Sequence, residues 1–92
     1  MELSGKNILV IGGGGFIGSF VVEELLRHPV ARVVVYDNFT RGRREYLENA
    51  LSDPRCSIFA DGGDIRDTDI LDAAVRGMDG VICLAAMWLL HC

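Results

Sequence analysis

The chain has 92 residues, of which 50% are hydrophobic and 24% are charged, and its formal net charge is −4. This composition is typical of one globular domain and excludes an intrinsically disordered chain. The acidic balance disfavours a nucleic-acid partner, which would require a basic surface. No apolar run approaches the roughly 18 residues of a membrane helix, so we expect no membrane association.

The start of the chain is polar, so we expect no targeting signal. Its three cysteines, Cys56, Cys83 and Cys92, are odd in number and form no Cys-x-x-Cys pair. We therefore predict reduced thiols and a cytoplasmic location. His91 and Cys92 are adjacent, which is poor spacing for metal ligands, so we predict no metal site.

The first predicted element is a buried strand over residues 7–11, which are aliphatic and β-branched. Four glycines follow it, and a helix is then predicted over residues 16–28, with Pro29 marking its end. The apolar residues that recur at helical spacing in this segment are Ile17, Phe20, Val21 and Leu25.

The remaining segments alternate between strand and helix patterns. Residues 32–36 predict a second buried strand, residues 43–51 a second helix and residues 57–60 a weaker third strand. Asp67 or Thr68 can cap a third helix, and residues 81–85 predict a fourth strand. The apolar face of the third helix consists of Ile70, Leu71, Ala74, Val75 and Met78.

This alternation with short connections predicts right-handed crossovers and a parallel sheet. We expect four strands in the order 3-2-1-4 with three helices, the first part of a doubly wound, Rossmann-like α/β fold. An apolar fourth strand would normally have a neighbour on its other side. We therefore expect residues 1–92 to be the N-terminal part of a dinucleotide-binding domain, with the rest of that domain and a substrate lobe outside this chain.

The glycine loop between the first strand and the first helix is the main functional motif. Gly13, Gly15 and Gly18 fit the spacing G-x-G-x-x-G, and Gly12, Gly15 and Gly18 fit G-x-x-G-x-x-G. Such a loop allows a diphosphate close to the backbone, where the helix start offers N–H groups and a positive dipole end. A nucleotide-hydrolase phosphate loop is excluded, because it needs Lys and then Ser or Thr where Ser19 and Phe20 stand.

Asp37 ends the second strand, nineteen residues after Gly18. An acid at this place accepts hydrogen bonds from both adenosine ribose hydroxyls, and its charge repels a 2′-phosphate, which favours NAD over NADP. Arg41, Arg43 and Arg44 keep NADP open as the alternative, because a nearby arginine accommodates a 2′-phosphate. The alternative to ribose binding is that Asp37 only caps a turn or a helix.

Asp64 and Ile65 follow the third strand, where a carboxylate can accept from the adenine amino group and an isoleucine can pack on the ring. A methyltransferase also places acids after its second and third strands, but it usually has an acidic residue just before the glycines. Ile11 stands at that position here. A dinucleotide is therefore the favoured ligand.

Four ordered blocks of the chain resemble the extended short-chain dehydrogenases, the NAD-dependent sugar-nucleotide epimerase/dehydratase family. They are residues 12–19, 37–44, 63–67 and 84–86. The resemblance implies that Gly12, Gly15 and Gly18 are the glycines of the dinucleotide-binding motif. Ile11 replaces a common Thr, and Cys83 stands where His is frequent. The cofactor-binding residues that the resemblance implies are Gly12, Gly15, Phe16, Ile17, Gly18, Asp37, Asn38, Thr40, Arg41, Gly42, Asp64, Ile65, Leu84, Ala85 and Ala86.

The family's catalytic Tyr-x-x-x-Lys is not found in these 92 residues, since Tyr36 and Tyr46 are followed four positions later by Thr40 and Ala50. The resemblance implies a parent enzyme, often a homodimer, that moves a hydride between a nucleotide sugar and NAD. We expect this chain alone to be inactive. Two alternatives stay open: a non-catalytic dinucleotide-binding module such as a redox sensor, and a reductase of the same fold with a non-sugar substrate.

Overall fold

The computed structural model of the protein describes residues 3–37, 44–59 and 68–84. No helix within these ranges is long and apolar enough to cross a membrane. A 3-10 turn, Arg44–Leu47, leads directly into the second helix. The elements in chain order are β1 (Asn7–Ile11), α1 (Phe16–Leu26), β2 (Arg32–Tyr36), α2 (Glu48–Leu51), β3 (Cys56–Ile58), α3 (Thr68–Val75) and β4 (Gly80–Cys83).

The four strands form one parallel sheet in the order β3-β2-β1-β4, which confirms the predicted α/β topology. β1 is central and pairs with β2 from Asn7↔Arg32 to Ile11↔Tyr36. On its other side, Ile11 lies opposite Cys83 of β4. The carboxyl ends of β1, β2 and β4 therefore lie side by side at one edge, where open α/β sheets bind ligands.

The core lies on both faces of the sheet, because successive side chains of a strand point in opposite directions. Ile8 and Val10 of β1 pack in one cluster with Val22 of α1 and Leu47, which precedes α2. Leu9 and Ile11, with β2 residues Val34 and Tyr36, form the opposite cluster, which Ala74 of α3 joins. Burial on both faces explains why β1 and β2 are uninterrupted apolar runs.

The buried face of α1 differs from the apolar pattern in its sequence. Its buried residues are Gly18, Ser19, Val22 and Leu25, whereas the side chains of Ile17 and Phe20 are exposed. Leu25 of the predicted pattern is buried, and Val21 packs partly buried against the same core. Helical spacing thus identified the helix and only part of the side that packs on the sheet. The small Gly18 and Ser19 face inward because the glycine loop lies close to the first turn.

Arg55 closes the C-terminal end of α1, which ends at Leu26 and not at residue 28 as predicted. Its guanidinium donates to the carbonyl oxygens of Leu26 (2.6 Å), His28 (2.9 Å) and Val30 (3.2 Å). A cation is favourable here because the last carbonyls of a helix are unpaired and carry partial negative charge. Asp53 holds the guanidinium in place with an ion pair of 2.8 Å.

The later elements are shorter than their sequence patterns. The second helical segment begins as the 3-10 turn, and β3 begins at Cys56 and ends at Ile58 rather than spanning residues 57–60. α3 begins with Thr68 in the helix itself, and β4 covers Gly80–Cys83 rather than residues 81–85. Arg43, Ala60, Asp67 and Ala85, at which these predictions began or ended, lie outside the described residues.

The prediction of reduced thiols is wrong for Cys83, which is disulfide-bonded. Cys56 is free and buried at the start of β3. The number and spacing of cysteines in the sequence do not show which sulfur atoms the fold brings within bonding distance.

Candidate functional site

The glycine loop leaves β1 through a tight turn at Gly12. The Gly12 N–H donates to the Tyr36 carbonyl oxygen at 2.8 Å, and its φ of +85° lies in the left-handed region that glycine adopts without steric cost. The Gly15 N–H then donates to the Gly12 carbonyl oxygen at 3.2 Å and closes the turn. The start of the loop is therefore bonded to the last residue of β2, and the loop closes on itself within four residues.

Gly15 and Gly18 differ in the space around them. A Cβ atom at Gly18 would overlap with the Gly12 carbonyl oxygen and would lie 2.9 Å from the Gly13 Cα atom. At Gly15 the same atom would lie 3.6 Å from the Gly12 carbonyl oxygen, which is an ordinary van der Waals contact. The packing of α1 therefore requires glycine at Gly18, whereas the described residues leave room for a side chain at Gly15.

The N-terminal end of α1 offers unpaired backbone donors. Gly15 is the N-cap residue, which provides no side-chain hydrogen bond, and the first turn contains no acidic residue. Within the described ranges, the N–H groups of Phe16, Ile17 and Gly18 take part in none of the hydrogen bonds at this end, and Ser19 is the first to pair, with the Gly15 carbonyl oxygen at 2.8 Å. Unpaired N–H groups at a positive dipole end form a site for an anion.

Asp37 lies next to this loop. One carboxylate oxygen, Oδ2, accepts a hydrogen bond from the Gly14 N–H at 2.9 Å in a partly buried position. Ile11 and Tyr36 are the last paired residues of β1 and β2. The glycine loop and Asp37, which follow them in the chain, therefore start side by side at the end of the sheet. The structure thus brings Asp37 and the loop together, an arrangement that fits both the dinucleotide hypothesis and the alternative of a turn cap. Sequence reasoning missed the bond itself, although the parallel pairing of β1 and β2 could have indicated it.

Three aromatic side chains contact one another near the start of α1. The side chains of Phe16 and Ile17 are 62% and 63% exposed. The Phe16 ring meets Phe20 edge-on at 5.1 Å and Tyr46 at 5.7 Å. The exposed side chains of Phe16 and Ile17 lie outside the core, and a role of their N–H groups in diphosphate binding stays a prediction.

Leu84 continues the pairing of β4 with β1, because its N–H donates to the Ile11 carbonyl oxygen at 2.8 Å. It therefore lies at the same sheet edge as Gly12 and Asp37. Among the described residues, no three His, Cys, Asp or Glu side chains form a group that could hold a metal ion. The other predicted site residues lie outside the described ranges; they are Asn38, Thr40, Arg41, Gly42, Asp64, Ile65, Ala85 and Ala86.

A parallel α/β sheet with a glycine loop, an open helix start and an adjacent acid defines the class of dinucleotide-binding folds. A sequence model of the NAD dependent epimerase/dehydratase family matches residues 8–89. The chain belongs to this family. The family resemblance predicted from its sequence blocks is confirmed.

Similar proteins include enzymes named for nucleotide sugars. UDP-glucose 4-epimerase of Rhizobium leguminosarum bv. trifolii is 39% identical over 70 residues, which are 76% of this chain and 19% of that protein. The dTDP-glucose 4,6-dehydratase of Mycobacterium tuberculosis is 40% identical over 81 residues, which are 86% of this chain and 23% of that protein. The chain therefore spans less than a quarter of the length of either relative.

The fold is also similar to a solved structure with a bound dinucleotide. The Bordetella bronchiseptica enzyme WbmF, in complex with NAD+, superposes with a TM-score of 0.75 at 28% identity. The match covers 91% of this chain and 24% of the WbmF chain. WbmF has also been solved with NADH and with NAD+ and UDP.

Proposed function

We propose that this chain binds the adenosine and diphosphate groups of NAD at the carboxyl edge of its sheet. The observation that carries the proposal is the 2.9 Å hydrogen bond from the Gly14 N–H to the Asp37 carboxylate. It supports the proposal because it keeps a carboxylate, which can accept hydrogen bonds from ribose hydroxyls, beside a loop whose helix start has unpaired donors. The N–H groups of Phe16 and Ile17 would hold the diphosphate, and the room beside Gly15 would admit it.

The charge of Asp37 favours NAD over NADP, because a 2′-phosphate at the ribose would meet a carboxylate. The NAD dependence in the family description supports the same choice. So does the presence of NAD+ and NADH in the WbmF structures.

The parent protein in this proposal is an enzyme that acts on nucleotide sugars. The names of the epimerase and dehydratase relatives support this substrate class, as does the WbmF complex with UDP. When bound, NAD supplies a nicotinamide carbon that accepts and returns a hydride. This chain would bind and orient the adenosine half, and we propose that residues outside it supply the tyrosine and lysine of the reaction.

The organisation of the parent protein follows from the same reasoning. Because the match covers 91% of this chain but only 24% of the WbmF chain, we propose that residues 1–92 are the N-terminal part of a dinucleotide-binding domain, without turnover of their own. From the family resemblance we also propose a homodimer. The cytoplasmic location is a proposal that rests on the free thiol of Cys56 alone, because Cys83 is disulfide-bonded.

Calorimetric titration of the full-length protein with NAD and NADP tests the proposal. We expect saturable binding with one site per chain and a lower Kd for NAD. Incubation with UDP-glucose and dTDP-glucose, followed by chromatography of the products, then tests the enzymatic part. Binding of NAD without conversion of either nucleotide sugar would favour the non-catalytic module or the reductase, and no binding of either dinucleotide to folded protein would contradict the proposal.

A further inference from the structure

We propose that Asp37 is a positioning residue for the glycine loop, in addition to an acceptor for the ribose. Its carboxylate would hold the loop in the conformation that receives a diphosphate before any nucleotide arrives. This inference rests on the proposed function, since it concerns the same dinucleotide site. It differs from that proposal because it assigns Asp37 a contribution to diphosphate affinity that does not depend on ribose hydroxyls.

The loop depends on contacts from outside itself. Four consecutive glycines, Gly12 to Gly15, have no side chains and lose more conformational entropy on ordering than any other residues. Within the loop, the Gly15 N–H reaches the Gly12 carbonyl oxygen only at 3.2 Å. A loop with this composition becomes a prepared binding site when neighbouring elements fix it, because less ordering is then left for the ligand to induce.

The end of β2 provides two such contacts. The Tyr36 carbonyl oxygen accepts from the Gly12 N–H at 2.8 Å, and the Asp37 Oδ2 atom accepts from the Gly14 N–H at 2.9 Å. The first contact fixes the start of the loop, and the second fixes its middle. A charged acceptor in a partly buried position makes the second bond stronger than a neutral one.

The two roles of Asp37 are chemically compatible. An ionised carboxylate has two oxygens with about four lone-pair sites, so a bond to the Gly14 N–H does not prevent bonds from ribose hydroxyls. Gly14 immediately precedes the N-cap residue Gly15, which in turn precedes the open donors of α1. A shift of Gly14 would therefore move the part of the backbone on which the diphosphate would lie.

Paired nucleotides separate the two roles. ADP contains the ribose hydroxyls and the diphosphate, whereas 2′,3′-dideoxy-ADP retains the diphosphate and adenine without the hydroxyls. Calorimetric titration of both into the full-length protein should be done for the wild type, Asp37→Ala and Asp37→Asn. Asp72→Ala is the matched control. Asp72 is an exposed acid of α3, which packs on the face of the sheet opposite to α1.

We expect Asp37→Ala to raise the Kd of 2′,3′-dideoxy-ADP about tenfold, the effect of one lost hydrogen bond. Asp37→Asn retains a carbonyl oxygen for the Gly14 N–H but loses the charge, so its Kd for this nucleotide should lie between those of the wild type and Asp37→Ala, about two- to fivefold above the wild type. ADP should bind more weakly to both variants. Asp72→Ala should bind both nucleotides as the wild type does.

Hydrogen exchange of the ligand-free protein gives a second readout. Asp37→Ala should accelerate amide exchange in the peptide that contains Gly14, and Asp37→Asn should restore slow exchange there. Acceleration throughout the β1 and β2 peptides would show a general structural role and would overturn the inference. An unchanged Kd of 2′,3′-dideoxy-ADP in Asp37→Ala would overturn it while leaving the proposed function intact; failure of the wild type to bind ADP would instead contradict the proposed function.

Discussion

The carbonyl oxygen of Gly12 occupies the space that a Cβ atom at Gly18 would need. Gly18→Ala should therefore lower the free energy of unfolding by about 1–3 kcal/mol, because the loop or the first turn of α1 must shift. Urea-induced unfolding followed by circular dichroism measures this loss. Gly15→Ala is the control and should lose less than about 1 kcal/mol, since only the N-cap preference opposes it. Equal losses in both variants would contradict the packing argument.

Gly15→Val separates binding from folding. The backbone of Gly15 has φ of −76° and ψ of 170°, which a β-branched residue adopts without strain. The larger side chain would enter the space proposed for the diphosphate, so the Kd for NAD should rise about tenfold to a hundredfold. Titration calorimetry measures the affinity, and thermal unfolding checks the fold. An affinity equal to the wild type would show that no diphosphate lies beside Gly15.

Asp37→Ala should weaken NAD binding more than NADP binding. With NAD the variant loses charge-assisted hydrogen bonds to the ribose, each contributing about 1.5–3 kcal/mol. With NADP it also loses a repulsion between the carboxylate and the 2′-phosphate, which offsets part of that loss. The Kd for NAD divided by the Kd for NADP, both measured by titration, should therefore be larger in the variant than in the wild type. An equal rise in both values would instead indicate that Asp37 acts only on the loop.

The ion pair of Asp53 and Arg55 predicts a pH dependence of stability at acidic pH. Hydrogen bonds from Arg55 lower the pKa of the Asp53 carboxyl from 3.8 to about 2 in the folded chain. Because the folded pKa is lower than the unfolded one, the pair contributes fully above about pH 4 and its contribution is lost as the pH falls toward 2. The difference in urea midpoint between the wild type and Asp53→Asn should shrink over this range.

Asp72→Ala provides the comparison for this pH series, because Asp72 is an exposed acid for which the structure shows no ion pair within the described residues. Its difference from the wild type should stay nearly constant with pH. A constant difference for Asp53→Asn as well would show that the ion pair does not stabilise the folded chain.

Cys56 should be unreactive in the folded protein. Burial is the main cause that raises the pKa of its thiol to about 11, and the nearby negative charge of Asp53 is a smaller one. Little thiolate therefore forms at neutral pH. Alkylation by iodoacetamide, followed by mass spectrometry of the Cys56 peptide, should be slow in buffer and fast in urea. Similar rates in both conditions would mean that the start of β3 opens readily.

Local patterns in the sequence were sufficient for the centre of the fold. β1 and β2 have the predicted bounds, Asn7–Ile11 and Arg32–Tyr36, because strands buried on both faces appear as uninterrupted apolar runs. The start of α1 at Phe16 also agrees with the prediction, since the glycine loop limits where a helix can begin.

Other features depend on information that local patterns lack. Leu47 and Ala50 are both buried and three residues apart, a spacing that fits a 3-10 turn and an α-helix equally well. The bond between Gly14 and Asp37 joins residues 23 positions apart, so it depends on the pairing of two strands. The roles of site residues outside the described ranges stay predictions from the family resemblance.

The central place of β1 in the sheet has a consequence for the order of folding. β1 pairs with β2 across the short connection that contains α1, whereas its start bonds to Asp79, 72 positions away in the chain. Contacts across a long separation close more slowly, because more chain entropy is lost before they form. We therefore expect the glycine loop and Asp37 to meet early, with β4 joining the sheet last.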